Sequence, residues 1–178
     1  KSYLTGKGSF GAREAVKYFD MFGVKDKVKL VDVELNSAVP ALKNKQIDGF
    51  ATAGSFPAPN VMEAAAGTDV RLISMTDEQV TKSKRTKLII PAGTYPGIDT
   101  DTTTTSLPVM AYTTTGMSDE VAYTLTKAYW TEKERLGTDN KWWNGAKPEM
   151  LSLMYGKLHT GALKYYAEAG VAVPDALK

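Results

Sequence analysis

The glycine-rich stretch Gly6-Lys7-Gly8-Ser9-Phe10-Gly11 stands between a short apolar strand and an amphipathic helix predicted from about Ala12 to Phe22. Glycine lets a backbone approach a ligand closely, and a helix N-terminus offers unpaired N–H groups and a positive dipole end. With the Ser9 hydroxyl added, the turn suits a carboxylate or a phosphate. A plain glycine-rich connection explains the same six residues equally well.

Beyond this turn, short apolar runs alternate with amphipathic segments over the first hundred residues. Strands are predicted at residues 28–35, 47–53 and 70–75, and helices at about residues 37–45, 60–66 and 77–84. Such alternation favours an α/β fold with a mostly parallel sheet covered on both faces.

The pattern changes near Lys87, where a turn-rich segment leads into an extended, threonine-rich stretch from Thr102 to Tyr112. From Ser118 onward the chain is predicted to be almost wholly helical, at residues 119–136, 148–154 and 160–169. These helices carry apolar stripes that need an apolar partner surface. One stripe contains Val121, Leu125, Ala128 and Tyr129, and another contains Leu163 and Tyr166.

Composition narrows the function classes. The chain has 178 residues, enough for one domain or two small lobes, and lacks cysteine, which excludes disulfide and thiolate chemistry. Its 22 basic and 20 acidic residues are interspersed. The densest basic stretch, residues 82–87, has no interleaved aromatic residue and is interpreted as a solvated helix face, so no nucleic-acid partner is expected. No apolar run is long enough to cross a bilayer.

Groups that could carry catalysis are sparse. The single histidine, His159, lies at a predicted helix start, where a structural role is favoured over a catalytic one. No serine stands in a nucleophile elbow, and no acidic or histidine cluster has metal-ligand spacing. Asp32 is the only candidate for the ribose-binding acid of a dinucleotide site, and it is not convincingly placed. The sequence therefore predicts no enzyme, no metal site and no cofactor.

Four ordered segments, which together span nearly the whole chain, carry a family resemblance. They are the glycine loop Gly6–Arg13, the segment Gln46–Pro57, the nearly unaltered Ile90-Pro91-Ala92-Gly93-Thr94-Tyr95-Pro96-Gly97, and the tail Leu158–Gly170. The set resembles the TAXI family of solute receptors for TRAP (tripartite ATP-independent periplasmic) transporters. Phe10 departs from the family pattern, which usually has a small residue there.

The resemblance implies a type II periplasmic-binding-protein-like fold, in which a ligand is clamped between two lobes. Residues 1–105 would form the second, α/β ligand-binding lobe. Residues 106–178 would form the hinge crossover and the C-terminal helices, which would pack on an N-terminal lobe that this sequence does not contain. We therefore expect the helices either to fold back on the α/β lobe or to be covered by self-association with another copy.

By the same resemblance, the function is that of a periplasmic receptor. It would capture a small organic anion or amino acid, glutamate-like or a dicarboxylate, for the membrane subunits of a TRAP-type secondary transporter. The residues expected to bind ligand are Gly8, Ser9, Phe10, Gly11, Gly54, Ser55, Phe56, Thr94 and Tyr95. At least one of the two aromatic rings in the later turns, Phe56 and Tyr95, should be partly exposed in a concave surface.

Two alternatives remain open. An effector-sensing domain of a transcription regulator can share this fold, although no helix-turn-helix motif is present. A small transferase could use the glycine loop for a phosphate, but it would need a general base that the sequence does not offer.

Overall fold

The computed structural model describes all 178 residues and divides the chain into two compact units, Lys1–Ser106 and Leu107–Lys178. The first unit contains, in chain order, β1 (Ser2–Leu4), α1 (Phe10–Met21), β2 (Lys29–Val31), α2 (Ala38–Lys43), β3 (Gly49–Phe50), α3 (Pro59–Gly67), α4 (Asp77–Ser83), β4 (Thr86–Ile90) and β5 (Thr102–Ser106). The second unit contains α5 (Asp119–Asp139), 3-10 turns at Lys141–Gly145 and Pro148–Leu153, and α6 (Thr160–Glu168).

The first unit has a small parallel sheet of three strands in the order β2-β1-β3. A separate antiparallel pair joins β4 to β5, with Leu88 opposite Thr104. The predicted mixed α/β class and the parallel sheet are confirmed. The predicted strand at residues 70–75 is wrong: this segment has no regular structure, Ile73 is 71% exposed, and Met75 N donates to Thr103 O. An apolar run becomes a strand only where a ladder of backbone bonds pairs it with a neighbouring strand, and this run makes a single backbone bond to β5.

Two apolar clusters hold the first unit together. Leu4 in the central strand is fully buried and packs with Ala38 and Ile47. The second cluster contains Val61, Tyr95 and Ile98. Phe50, at the end of β3, contacts both clusters and so joins the parallel sheet to the turn after β4.

Basic side chains of residues 82–87 form hydrogen bonds and ion pairs within the first unit. Lys82 Nζ donates to Met21 O at 2.8 Å, and Lys87 pairs with Asp77. Arg85 forms a two-pronged bond with the Glu14 carboxylate at 3.2 and 2.9 Å, and this partner raises the pKa of Arg85. These cations therefore serve contacts inside the unit. Only Lys82 lies in α4 and Lys87 lies in β4, so the stretch is not the solvated helix face expected from the sequence.

In the second unit, α6 packs on one face of α5. Tyr166 is 8% exposed and joins Leu151 and Leu177 in the core of this unit. The expectation that the stripe containing Tyr166 needs an outside partner is therefore wrong, because the turns around the two helices cover this ring. Pro148–Leu153, predicted as an α-helix, forms the tighter 3-10 turn that supplies Leu151.

The other stripe of α5 is exposed. Val121, Leu125 and Tyr129 are 47%, 56% and 47% exposed. Gly161 of α6 lies against Ala122 and the backbone of Asp119 and Tyr123, and the three stripe side chains remain exposed. Within the second unit, this surface therefore has no covering element.

Candidate functional site

The glycine loop takes a shape that only glycine adopts readily. Gly6 and Gly8 have φ values of +79° and +67°, in the left-handed region. A methyl group on Gly6 would also lie 3.0 Å from Leu35 Cβ. Lys7 N donates to Val33 O, which ties the loop to the segment that follows β2. Turn geometry therefore accounts for the first two glycines of the sequence motif.

Ser9 is the N-cap of α1. Its Oγ accepts a hydrogen bond from Ala12 N at 3.0 Å and donates to Thr5 O at 3.2 Å. The N–H groups of Phe10 and Gly11 have no hydrogen-bond acceptor. Because the first N–H groups of a helix lack partners inside the helix, these two are unpaired donors at the start of α1.

The segment after β3 lies directly beside this loop. Gly11 is buried, and a methyl group there would lie 3.4 Å from Ala53 N. Because β1 and β3 are adjacent and parallel, the loops that follow them meet at one edge of the sheet, where ligands of α/β proteins usually bind. Within this segment Gly54 is exposed and Ser55 is half-buried. The structure thus brings the residues predicted around Gly8–Gly11 close to those predicted after β3.

Asn60 is a neighbour of this site that the sequence analysis missed. Its Nδ2 donates to Thr52 Oγ1 at 3.1 Å, which holds the segment after β3 against the first turn of α3. The available signal was an amide side chain in the first turn of the helix that follows β3.

The predicted residues after β4 lie in packed surroundings. Tyr95 is 3% exposed, its hydroxyl accepts from Ala58 N at 2.9 Å, and burial raises the pKa of this hydroxyl. Thr94 Oγ1 donates to Pro91 O within its own turn. Phe56 is half-buried and packs against the cluster around Tyr95. Of the two rings, Phe56 is therefore partly exposed, and Tyr95 belongs to the core.

Replacing Tyr95 with phenylalanine tests this placement. The ring would still fill the core, but the Ala58 N–H would lose its acceptor in a part-buried position. We expect a loss of unfolding free energy of about 1–2 kcal/mol, the penalty for an unsatisfied polar group. Urea unfolding measures it, with Tyr112→Phe as the matched control, because Tyr112 is 94% exposed. Equal stability of the two variants would contradict a structural role for the Tyr95 hydroxyl.

A groove of about 560 Å³ opens elsewhere on the first unit, between the β1–β2 side of the sheet and α2. It is lined by Leu4, Val31, Val33, Asn36, Ser37, Pro40, Ala41, Gln46 and Ile47. Its walls are apolar with neutral polar side chains, and none of the nine predicted ligand-binding residues lines it. The predicted site is an open edge in this unit and is separate from that groove.

Other chemistry-bearing groups have local partners or stand alone. Asp101 accepts from Ala92 N at 2.8 Å in the turn between β4 and β5. His159, in the second unit, caps α6. No three histidine, aspartate or glutamate side chains come together in a way that could hold a metal ion. None of the helices combines the length and apolar character that crossing a membrane requires.

Comparison with known protein families gives a match over most of the chain. Residues 1–170 match the model of the NMT1-like family. The match covers the glycine loop, the segment after β3, the turn after β4 and the helical second unit.

Proposed function

Because the chain belongs to the NMT1-like family, we propose that it captures a small organic anion or amino acid for a TRAP-type secondary transporter. The family is periplasmic-binding-protein-like, and its members typically bind solutes outside the cytoplasm. The ligand class rests on one observation in this chain. Two unpaired N–H groups, those of Phe10 and Gly11, lie at the sheet edge where the loops after β1 and β3 meet.

The charges around the loop support an anionic ligand. Lys7 precedes the helix and Arg13 lies in its first turn; both are exposed, and neither forms an ion pair. Glu14, the nearest acid along α1, is already neutralised by Arg85. Residues 6–14 therefore carry two unpaired cations and two unpaired N–H groups, which favours a carboxylate such as that of glutamate or a dicarboxylate.

The proposed mechanism is closure of a two-lobed, type II receptor of the TAXI kind. Residues 1–105 supply one wall of the ligand site, through Gly8–Gly11 and Gly54–Phe56. Residues 106–178 form the crossover between the lobes and the helices that pack on the other lobe. The exposed apolar stripe of α5 supports this assignment, because soluble proteins seldom leave such a stripe uncovered.

Ligand stabilises the closed form, which the membrane subunits recognise. No chemical step is required, so the protein would act as a periplasmic receptor and not as an enzyme.

A thermal-shift screen of the full-length protein tests this proposal. Dicarboxylates and amino acids are the ligands to be screened, with sugars and polyamines as uncharged and cationic controls. A ligand at about one hundred times its Kd adds about 2.7 kcal/mol to native-state stability, so the melting temperature should rise by several degrees. A rise with polyamines or sugars and none with carboxylates would contradict the proposed ligand class.

Ser9→Ala is predicted to act on the site through the helix cap. The substitution removes the acceptor for Ala12 N, and we expect a loss of unfolding free energy of about 1 kcal/mol. Ser9→Thr keeps the hydroxyl and is the matched control. Chemical denaturation of both variants measures the difference. Loss of the cap would also make the N–H groups of Phe10 and Gly11 less well ordered. Carboxylate affinity should therefore fall in Ser9→Ala and be retained in Ser9→Thr. Equal affinity in both variants would show that the cap does not contribute to the ligand site.

A further inference from the structure

His159 connects the N-termini of the two α-helices of the second unit, α5 and α6. Its Nε2 lies 3.0 Å from Met117 O, just before α5. Its Nδ1 accepts from Gly161 N at 3.2 Å and so caps α6. Accepting the Gly161 N–H requires Nδ1 to carry no proton, which in the neutral ring leaves the proton on Nε2, facing Met117 O.

The same Nδ1 has a second neighbour of opposite character. Asp119 Oδ1 lies 3.6 Å away, at the first residue of α5. Protonation would turn Nδ1 from an acceptor into a donor. The Gly161 N–H would then face another N–H, while the Asp119 carboxylate would gain a charged donor. In both states Nε2–H can keep its bond to Met117 O, so the ring stays anchored while Nδ1 exchanges partners.

The packing around the imidazole makes this exchange local. Gly161 lies so close to α5 that a methyl group there would come within 2.8 Å of Tyr123 N and 2.9 Å of Ala122 Cβ. Thr160 Oγ1 donates to the same Asp119 oxygen. The two helix starts therefore cannot separate without breaking several contacts, and the smallest available movement is that of the ring toward Asp119.

Other charges near the helix pair are engaged elsewhere or lie further along it. Asp119 is the only acid within ion-pair distance of His159. Lys157 Nζ, on the chain entering α6, donates to Lys178 O. Further along the two helices, a second cluster gathers Lys127, Lys164 and Glu168 around the Tyr123 side chain. Glu120 forms no ion pair, so Asp119 is the charge that a protonated His159 meets first.

We propose that His159 is a pH-dependent helix cap, in which Nδ1 accepts from Gly161 N when neutral and donates to Asp119 when protonated. Histidine is the usual pH-dependent side chain near neutral pH, so protonation of the ring is the event that switches the cap. The result is a loosened first turn of α6, held against α5 by the Asp119–His159 ion pair. This device is independent of the ligand site on the first unit.

NMR of the uniformly labelled protein at about pH 8.5 and pH 5, on either side of the ordinary histidine range, tests the proposal. At the higher pH the imidazole ¹⁵N resonances should show a proton on Nε2 alone. At the lower pH the Gly161 amide should lose about fivefold in hydrogen-exchange protection, relative to its intrinsic rate, as one helix cap is lost. His159→Asn keeps a capping oxygen that does not titrate, and its Gly161 protection should be the same at both pH values.

Asp119→Asn removes the charged acceptor, so the loss of protection at the lower pH should be smaller than in the unmodified protein. Two results would overturn the proposal. One is an Nδ1-protonated neutral ring at the higher pH. The other is an equal loss of Gly161 protection in His159→Asn and the unmodified protein, which would show that another group titrates.

Discussion

Gly161→Ala is expected to destabilise the second unit by about 3 kcal/mol or more. The added methyl group would overlap the backbone carbonyl of Asp119 and come within 2.8 Å of Tyr123 N. These are backbone atoms of a 21-residue helix, so they cannot move aside as a flexible side chain would. Overpacking usually removes 1–3 kcal/mol, and a rigid obstacle places this case at the upper end or beyond, even though alanine gains about 1 kcal/mol of helix propensity.

The measurement is thermal unfolding followed by circular dichroism at the helix band, where we expect the second unit to melt on the order of 10 °C lower. Gly116→Ala is the matched control. A methyl group on Gly116 meets only Thr114 Oγ1, at 3.6 Å, so this variant should be as stable as the parent protein or slightly more so. Equal melting of the two variants would show that α5 and α6 are not in the close contact described.

Leu4→Ala is expected to have the largest effect in the first unit. Leu4 is the one large side chain that is completely buried, and it lies in the central strand between β2 and β3. Removing three carbons from a filled core destabilises by 2–5 kcal/mol through lost burial and the remaining cavity, and we expect about 3 kcal/mol. Guanidinium unfolding followed by circular dichroism measures it.

Leu30→Ala makes the same chemical change on the edge strand, where the side chain is already 40% exposed. This control should lose about 1 kcal/mol or less. If the two leucine variants unfolded at the same denaturant concentration, β1 would not be the centre of this core, and the position of the glycine loop that follows it would lose its support.

Local signals explain which elements the sequence predicts well. The starts of α1 and α5 follow from Ser9 and Ser118, whose side chains accept from the backbone three residues on. The capping box of Thr76 and Gln79 at the start of α4 was an available signal of the same kind that the sequence analysis did not use. Caps act within four residues, so a single sequence contains all the information they need.

Strands and burial depend on partners far away in the chain, and here prediction from sequence fails. The run at residues 70–75 has strand composition but no ladder of backbone bonds to a neighbouring strand, whereas the two-residue β3 pairs because β1 lies beside it. Tyr95 was predicted to bind ligand from its place in a turn, and its ring is buried because Val61, in α3, packs on it. His159 caps α6 although histidine is not among the usual capping residues, so only the structure reveals that role.

For the candidate site, the sequence predicts best which loops lie close together, because the order of the strands in the sheet decides this. The neighbouring parallel strands β1 and β3 bring the loops that follow them to one end of the sheet, so the meeting of Gly8–Gly11 with the segment after β3 follows from strand order. Which hydroxyl groups remain free could not be inferred. The Ser9 and Thr94 hydroxyls both bond within their own turns.

Calorimetric titration of the full-length protein with matched pairs of ligands tests the central claim most directly. Each carboxylate is paired with the diamide in which both carboxyl groups are replaced: succinate with succinamide, and glutamate with glutaminamide. The account predicts saturable one-to-one binding of at least one carboxylate, with its amide bound at least about tenfold more weakly, because the unpaired N–H groups of Phe10 and Gly11 and the free cations Lys7 and Arg13 favour a negative charge. Amides that bind as tightly as their carboxylates, or no saturable binding of any of these solutes by the folded protein, would contradict it.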